Sequence, residues 1–360
     1  MASAAHKKAE KFLQDYFTNA SPTGYESSGQ RIWLDYMADY SDEWFIDNYG
    51  SACAIINPGQ DYKVVIEAHA DEISWYVNYI TEKGFIYVVR NGGSDHIIAP
   101  SKIVNIHTKG GFVQGVFGWP AIHTRRGEKA KLAPKTENIF IDVGAKSKQE
   151  VLDMGIHIGS VITYPDELWM LNDRYYCGRA LDNKMGGYCI SQVARKLKEN
   201  KVKLPYSLYV VNAVQEEIGL RGAQMIAEAI QPDVAIVTDV THDTHTPMID
   251  LKVQGDIKCG LGPCLAHAPA VQTRLLELII DAAKEKKIDF QHRATSRSTG
   301  TDTDAFAYSN QGVPSALISL PLRYMHTTVE MAEKKDVDGV TDLIYESLLR
   351  IENGHDFRYF

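Results

Sequence analysis

Seven residues of this 360-residue chain combine a type and a placing that suit metal-assisted hydrolysis: His69, Asp71, Asp182, Glu216, Glu217, Asp239 and His326. Nearly all of them follow short β-rich runs. Lys63-Val64-Val65-Ile66-Glu67-Ala68 ends abruptly in His69-Ala70-Asp71, Glu216-Glu217 follows 208–214, Asp239 follows 234–238, and His326 comes after the run 316–320. Asp182 stands just before a helical stretch. In an open α/β sheet, ligands bind outside the carboxyl ends of the strands, where loops converge and helix N-termini point inward.

Two histidines and three carboxylates suit a pair of zinc ions, held by imidazole nitrogen and carboxylate oxygen at ~2.0–2.2 Å with no thiolate required. One carboxylate can offer an oxygen to each ion and bridge them at about 3.5–4 Å; Asp182 is the candidate bridge. Residues two apart on an extended segment share a side, so Asp71 can take the second ring N–H of His69 and fix its tautomer, an auxiliary place in the catalytic set. Adjacent Glu216 and Glu217 cannot point one way on a strand, which suits divided labour: Glu217 as ligand, Glu216 as the base acting on water.

Each residue alone has a plainer reading. A histidine at a strand end is more often a hydrogen-bonded core residue, Asp182 could simply cap a helix starting at Asn183, and a Glu-Glu pair usually lies solvated on a turn. The weight comes from their joint order. His242-x-x-His245 reads better as an exposed loop, and Cys259, Cys264 and His267 as small buried thiols beside an unrelated imidazole, than as further metal sites.

These residues need a scaffold. Helix-like spacing over 6–18 and 26–40, broken by Ser21-Pro22, precedes the strand 63–68. From 73 to 165 short β-branched or aromatic runs (74–80, 85–89, 112–117, 139–143, 161–164) alternate with Gly-rich punctuation, and only 148–154 looks helical. That stretch reads as a small barrel inserted into a larger unit. Beyond Pro165 helix and strand take turns, with Met185, Cys189, Val193 and Leu197 marking a core-facing helix, further strands at 208–214, 234–238 and 316–320, and helices near 221–230, 270–287 and 336–351. The expected fold class is α/β, a mixed sheet flanked by helices, divided as 1–72 and 166–360 for the catalytic part and 73–165 for the barrel.

Composition narrows the partners. The chain is 44% hydrophobic and 23% charged, which allows a packed core, and its net charge of −8 carries no long basic run, which excludes nucleic acid and anionic membranes as expected partners. No stretch reaches the ~20 apolar residues of a membrane span. No apolar leader is legible in the first twenty residues, and five scattered cysteines suit a reducing, cytoplasmic setting.

The motifs ALDNKMG (180–186), VQEEIGLRGA (214–223), DVT (239–241), GTDTDA (300–305) and RYMHTTVE (323–330), with FIDVGAKSKQEVLDMGIHIGSV (140–161), resemble the TET-type metallo-aminopeptidases, a family that includes glutamyl aminopeptidases and homologues labelled endoglucanase. The resemblance spans nearly the whole chain. It implies a zinc-peptidase (phosphorylase/hydrolase-like) sandwich, an inserted dimerisation barrel, dimers assembling to a tetrahedral dodecamer, and removal of N-terminal residues from short peptides. It also implies one zinc on His69 and Asp239, another on Glu217 and His326, Asp182 between them, cobalt or manganese as substitutes, Glu216 as base, and a cis peptide at Asp182-Asn183. Where this chain has Ser298–Ala305 and Thr327-Thr328 it departs from the family's usual Gly-Gly-Thr-Asp-Ala and Ser-Pro; because His242, His245, Lys258 and His267 fall where substrate selectivity could be set, the family's substrate preference does not carry over. A metal-dependent deacylase, a glycosidase, and a catalytically inert structural homologue are the rival expectations.

Overall fold

The structure is a computed structural model that describes residues 4–127 and 131–360. Two helices, α1 (Ala4–Phe17) and α2 (Ser27–Met37), precede the strands β1 (Glu43–Ile46), β2 (Ala52–Ile56) and β3 (Lys63–His69). The chain then builds β4 (Ser74–Ile80), β5 (Ile86–Asn91), β6 (Ile103–Thr108), β7 (Gly111–Gly118), β8 (Phe140–Asp142), α3 (Lys148–Asp153) and β9 (Val161–Thr163). A hairpin of β10 (Leu168–Leu171) and β11 (Tyr175–Gly178) leads to α4 (Leu181–Glu199), β12 (Ser207–Ala213), α5 (Arg221–Ile230), β13 (Val234–His242) and the single turn α6 (Leu251–Gln254). Last come β14 (Cys264–His267), α7 (Thr273–Lys286), β15 (Gln291–Ala294), α8 (Asp302–Ala307), β16 (Ser315–Arg323), β17 (Glu330–Glu333) and α9 (Lys334–Leu348).

Eleven strands form one mixed sheet in the order β1-β2-β12-β3-β13-β16-β17-β11-β10, with β14 and β15 attached beside β16. Its centre, β12, β3, β13 and β16, is parallel, and the flanking strands are antiparallel. Parallel strands need crossovers that put helices over the sheet, so such strands are buried on both faces and read as continuous apolar runs. Val64 to Ile66, Val234 to Val237 and Ala316 to Ile318 fit that rule and lie in the core. Helices α4, α7 and α9 pack as one layer, and α5 pairs with α8 against β12 and β13.

The second core belongs to a closed six-stranded barrel, β4-β5-β8-β7-β6-β9, filled by Trp75, Val77, Ile86, Val88, Ile106, Phe117, Ile141 and Ile162. Trp75 and Val77 point inward by the two-residue period of a strand; a register shift between Val77 and Tyr79 then sends Ile80 inward instead. The barrel and its helix α3 follow the expectation. Strand β6 does not figure in it, because Asn105 and His107 interrupt a run whose Val104 and Ile106 are the buried partners. The alternation of helix and strand expected directly after Pro165 is corrected: β10 and β11 form an antiparallel hairpin at the sheet edge. No helix among the described residues is long and apolar enough to cross a membrane.

The two crossings between sheet and barrel meet at one cation. Glu72, ahead of β4, and Asp166, after β9, both ion-pair with the Arg179 guanidinium, and Lys184 Nζ lies 3.7 Å from Glu72. Arg179, Glu72 and Lys184 are buried, and removing one partner of a buried ion pair leaves the other charge uncompensated. Arg179→Met is expected to lower the unfolding free energy by about 3–5 kcal/mol, read from the urea midpoint of the full chain.

Candidate metal centre

Four parallel strands deliver the centre. His69 is the last residue of β3, in register with Ala213 at the end of β12. Asp239 lies inside β13, which runs on to His242 rather than ending at 238, and is paired with Ser319 of β16. Glu216 and Glu217 occupy a 3-10 turn after β12, entered through Gln215 at φ 58° and left through Gly219 at φ 116°. His326 follows β16 at φ 61°.

Asp182 sits at the start of α4, where Asp182 (φ −77°, ψ 107°) and Asn183 (φ −120°, ψ 30°) depart from helical geometry and the bond between them is cis. The plainer reading of Asp182 as a helix cap is corrected. Asn183 does the capping: its Oδ1 accepts from Gly186 N at 3.2 Å and its Nδ2 donates to Thr238 O at 2.8 Å. The carboxylate of Asp182 is thereby free to face the cavity.

The distances gather two groups around that carboxylate. His69 Nε2 is 3.1 Å from Asp182 Oδ1 and 3.7 Å from Asp239 Oδ1; His326 Nε2 is 3.2 Å from Asp182 Oδ2 and 3.4 Å from Glu217 Oε1. In each triad, His69–Asp182–Asp239 and Asp182–Glu217–His326, the ligand atoms lie within 4.8 Å of one another. Glu216 belongs to neither, yet its Oε2 is 3.9 Å from His69 Nε2.

Asp71 has a larger part than its spacing from His69 suggests. His69 Nδ1 lies 3.1 Å from the Asp71 main-chain oxygen and 3.4 Å from its Oδ1, so an Nδ1–H is taken there and Nε2 is turned toward the cavity. The same carboxylate accepts from Glu216 N at 2.9 Å, from Glu217 N at 3.2 Å and from Thr23 Oγ1 at 2.8 Å. One buried side chain thus sets both the histidine and the turn that carries the two glutamates.

Two supporting residues were missed by sequence reasoning. Glu330 accepts from His326 N at 2.7 Å and from Asp182 N at 3.2 Å; its place at the end of RYMHTTVE, four residues past His326, was the available signal. Thr23 has no comparable local signal. Of the other residues considered, His242 lines the cavity, whereas His245 pairs with Asp256 at 2.6 Å and His267 with His292 at 2.9 Å. Cys259 and Cys264 are buried free thiols, and among the described residues neither joins a metal-holding group.

Burial and crowding set the charges. Burial pushes Glu216 up to about 10, with Asp239, Asp302 and Glu217 adding to the rise and His69 opposing it. Burial likewise raises Glu217 to about 7 against the pull of His326. Asp182 goes the other way: burial would raise it, but hydrogen bonds from His326 and His69 hold it below the usual carboxylate range. Burial favours the neutral ring of His326, yet Asp182 and Glu217 carry it up to about 11. Carboxylates in low dielectric compete for any positive charge nearby. Imidazole nitrogens and carboxylate oxygens in two triads sharing one aspartate make a donor set fitted to divalent zinc, cobalt or manganese.

Comparison with known proteins finds a family and several relatives. The family model for M42 glutamyl aminopeptidases matches residues 50–343. A lysyl aminopeptidase of Pyrococcus furiosus is 33% identical over 323 residues, 89% of this chain and 91% of its own length. A glutamyl aminopeptidase of Lactococcus lactis is 27% identical over 271 residues, 74% of each chain. Among solved structures, the TET aminopeptidase of a marine sediment thaumarchaeote superposes with a TM-score of 0.91 at 27% identity, covering 96% of this chain and 98% of its own. A Thermotoga maritima protein described as an endoglucanase gives a TM-score of 0.74 at 24% identity over 93% and 96% of the two chains, a likeness of fold alone.

Asp71→Asn replaces one acceptor oxygen with a donor that must face a backbone N–H. Its affinity for divalent ions is expected to fall about 10- to 100-fold, measured by calorimetric titration of chelator-treated protein.

Proposed function

The chain belongs to the M42 glutamyl aminopeptidase family, and from that membership we propose that it is a co-catalytic aminopeptidase that removes N-terminal residues from short peptides, with two divalent ions, zinc by preference, held by His69, Asp182, Glu217, Asp239 and His326. The observation that carries this reading is the sharing of Asp182 between two histidine–carboxylate triads, with Glu216 beside them and in neither. When bound, such ions polarise the scissile carbonyl and acidify a water.

The protein's own groups do the rest. Glu216 takes a proton from the attacking water and returns it to the departing amine nitrogen, one carboxylate serving as base and then acid. Glu217, held by its main-chain bond to Asp71, binds rather than transfers. Asp71 keeps the proton of His69 on Nδ1, away from the cavity. Leu220, Val240 and Met325 line the same cavity of about 440 Å³ beside these groups.

A glycosidase is not favoured, because it needs two metal-free carboxyls about 5–9.5 Å apart, and the acids here crowd around two imidazoles. Assembly of dimers into a tetrahedral dodecamer through the barrel is supported by the TET neighbours and by Ile103, Phe112, Val116 and Ile122, barrel residues left exposed in the monomer. Five buried free thiols support a cytoplasmic, reducing location.

The lining also bears on the substrate's first side chain. Arg293 is the one lysine or arginine lining the cavity among the described residues; it donates to Thr241 Oγ1, and no described carboxylate stands within ion-pair distance of it. A guanidinium in that position favours an acidic N-terminal residue and repels a basic one.

Two outcomes follow. Glu216→Gln is expected to lower kcat about 10²- to 10⁴-fold while binding the same number of ions as the unaltered protein; near-normal turnover would show that another group is the base. With aminoacyl-chromophore substrates, Arg293→Ala is expected to reduce kcat/KM for glutamyl and aspartyl substrates about 10- to 100-fold and to leave leucyl hydrolysis nearly unchanged.

A further inference from the structure

The two triads differ in what holds them. In the first, His69 and Asp239 stand on central strands of the sheet, with side chains 2% and 7% exposed. In the second, Glu217 lies on a single turn and His326 on a loop, its side chain 32% exposed. The backing for that second pair comes from the barrel. Gly92 and Gly93, just past β5, run across it. At Gly92, φ is +77° and a Cβ would lie 3.2 Å from Glu217 Cβ. At Gly93 a Cβ would come within 2.5 Å of His326 Nδ1 and 2.7 Å of its Cε1.

Further bonds anchor the same barrel edge to the site. Asn91 Nδ2 donates to Thr23 O at 2.9 Å and to Ser74 Oγ at 2.8 Å. Thr23 in turn donates to Asp71, the acceptor for the Glu216-Glu217 turn. Lys102, ahead of β6, donates to Thr328 Oγ1 at 3.0 Å, tying the barrel to the loop that carries His326.

We propose that the barrel forms one wall of the metal centre, with Gly93 as the positioning residue that sets the His326 ring. The Asp182–Glu217–His326 triad is then assembled against Gly92-Gly93, whereas the His69–Asp182–Asp239 triad is assembled from strands β3 and β13 and the start of α4. The inference rests on the two-ion reading above. A methyl group at Gly93 meets the mobile end of an imidazole, not backbone, so the ring can swing aside at small cost to folding. It cannot do so and keep Nε2 at 3.2 Å and 3.4 Å from its two carboxylate neighbours. The chain would keep its fold and lose one ion.

The test is a titration of the chelator-treated full chain with cobalt, followed by calorimetry and by the visible absorption of the bound ion, with a urea midpoint for each variant. The unaltered protein is expected to bind two ions. Gly93→Ala is expected to bind the first with unchanged affinity and the second about 10- to 100-fold more weakly, with its urea midpoint preserved. Lys102→Met, which adds no bulk near the ring, is expected to weaken only the second ion, about 3- to 10-fold, and keeps the question answerable if Gly93→Ala does not fold. Gly118→Ala, whose Cβ would press on the half-buried Phe140 ring of the barrel, away from Gly92-Gly93, is expected to retain both ions. Two ions bound to Gly93→Ala, or to Lys102→Met where Gly93→Ala does not fold, at the affinities of the unaltered protein overturn the inference and leave the two-ion reading standing. Fewer than two ions in the unaltered protein overturns both.

Discussion

Carboxylates repel one another most strongly where water cannot screen them, and this molecule packs Asp182, Asp239, Glu216 and Glu217 around two imidazoles in a largely buried cavity. Such a cluster persists only when each oxygen has a positive or hydrogen-bonding neighbour. His69, His326 and the Val240 N–H supply such neighbours to Asp182, Asp239 and Glu217, and the surrounding architecture holds the backbone that carries them. Asp71 accepts the backbone N–H groups of Glu216 and Glu217, Glu330 accepts those of Asp182 and His326, and Asn183 takes over the capping that would otherwise occupy Asp182. What remains on the cavity side is a set of lone pairs suited to divalent cations.

Strand direction explains why this happens where it does. Parallel strands β12, β3, β13 and β16 end on the same side of the sheet, so residues from far apart in the chain arrive together. Their apolar interiors fix register, since a shift of one residue would turn every buried side chain outward. The precision of the centre is therefore borrowed from hydrophobic packing several residues away. Loops provide the other half, and they are steadied from outside the sheet by the barrel edge at Asn91 to Gly93 and by Lys102.

The two sides of the barrel differ accordingly: its outer face carries exposed apolar residues, and its inner edge touches the loops of Glu217 and His326. The buried Arg179 cluster, joining Glu72 on entry to the barrel and Asp166 on exit, keeps that edge seated. A module inserted between β3 and β10 is thus mechanically continuous with the centre, even though its hydrophobic core is separate.

The barrel, the helical core face of α4 and the parallel run of the central strands were legible because each depends on local periodicity, whereas the candidate ligands were picked out by residue type and by their order along the chain. Strand β6, the hairpin β10–β11 and the extension of β13 to His242 were not, because polar residues such as Asn105 and His107 hide a strand whose pairing comes from distant partners. The sequence by itself determined which residues could serve chemistry, since donor type and position after an apolar run are local properties. Tertiary structure alone decided that Asn183 rather than Asp182 caps α4, that Asp71 clamps the glutamate turn, and that Glu330, Arg293 and Gly93 stand beside the centre. Those facts depend on directions and distances between segments up to hundreds of residues apart, which side-chain type cannot encode without the packed fold that brings them together.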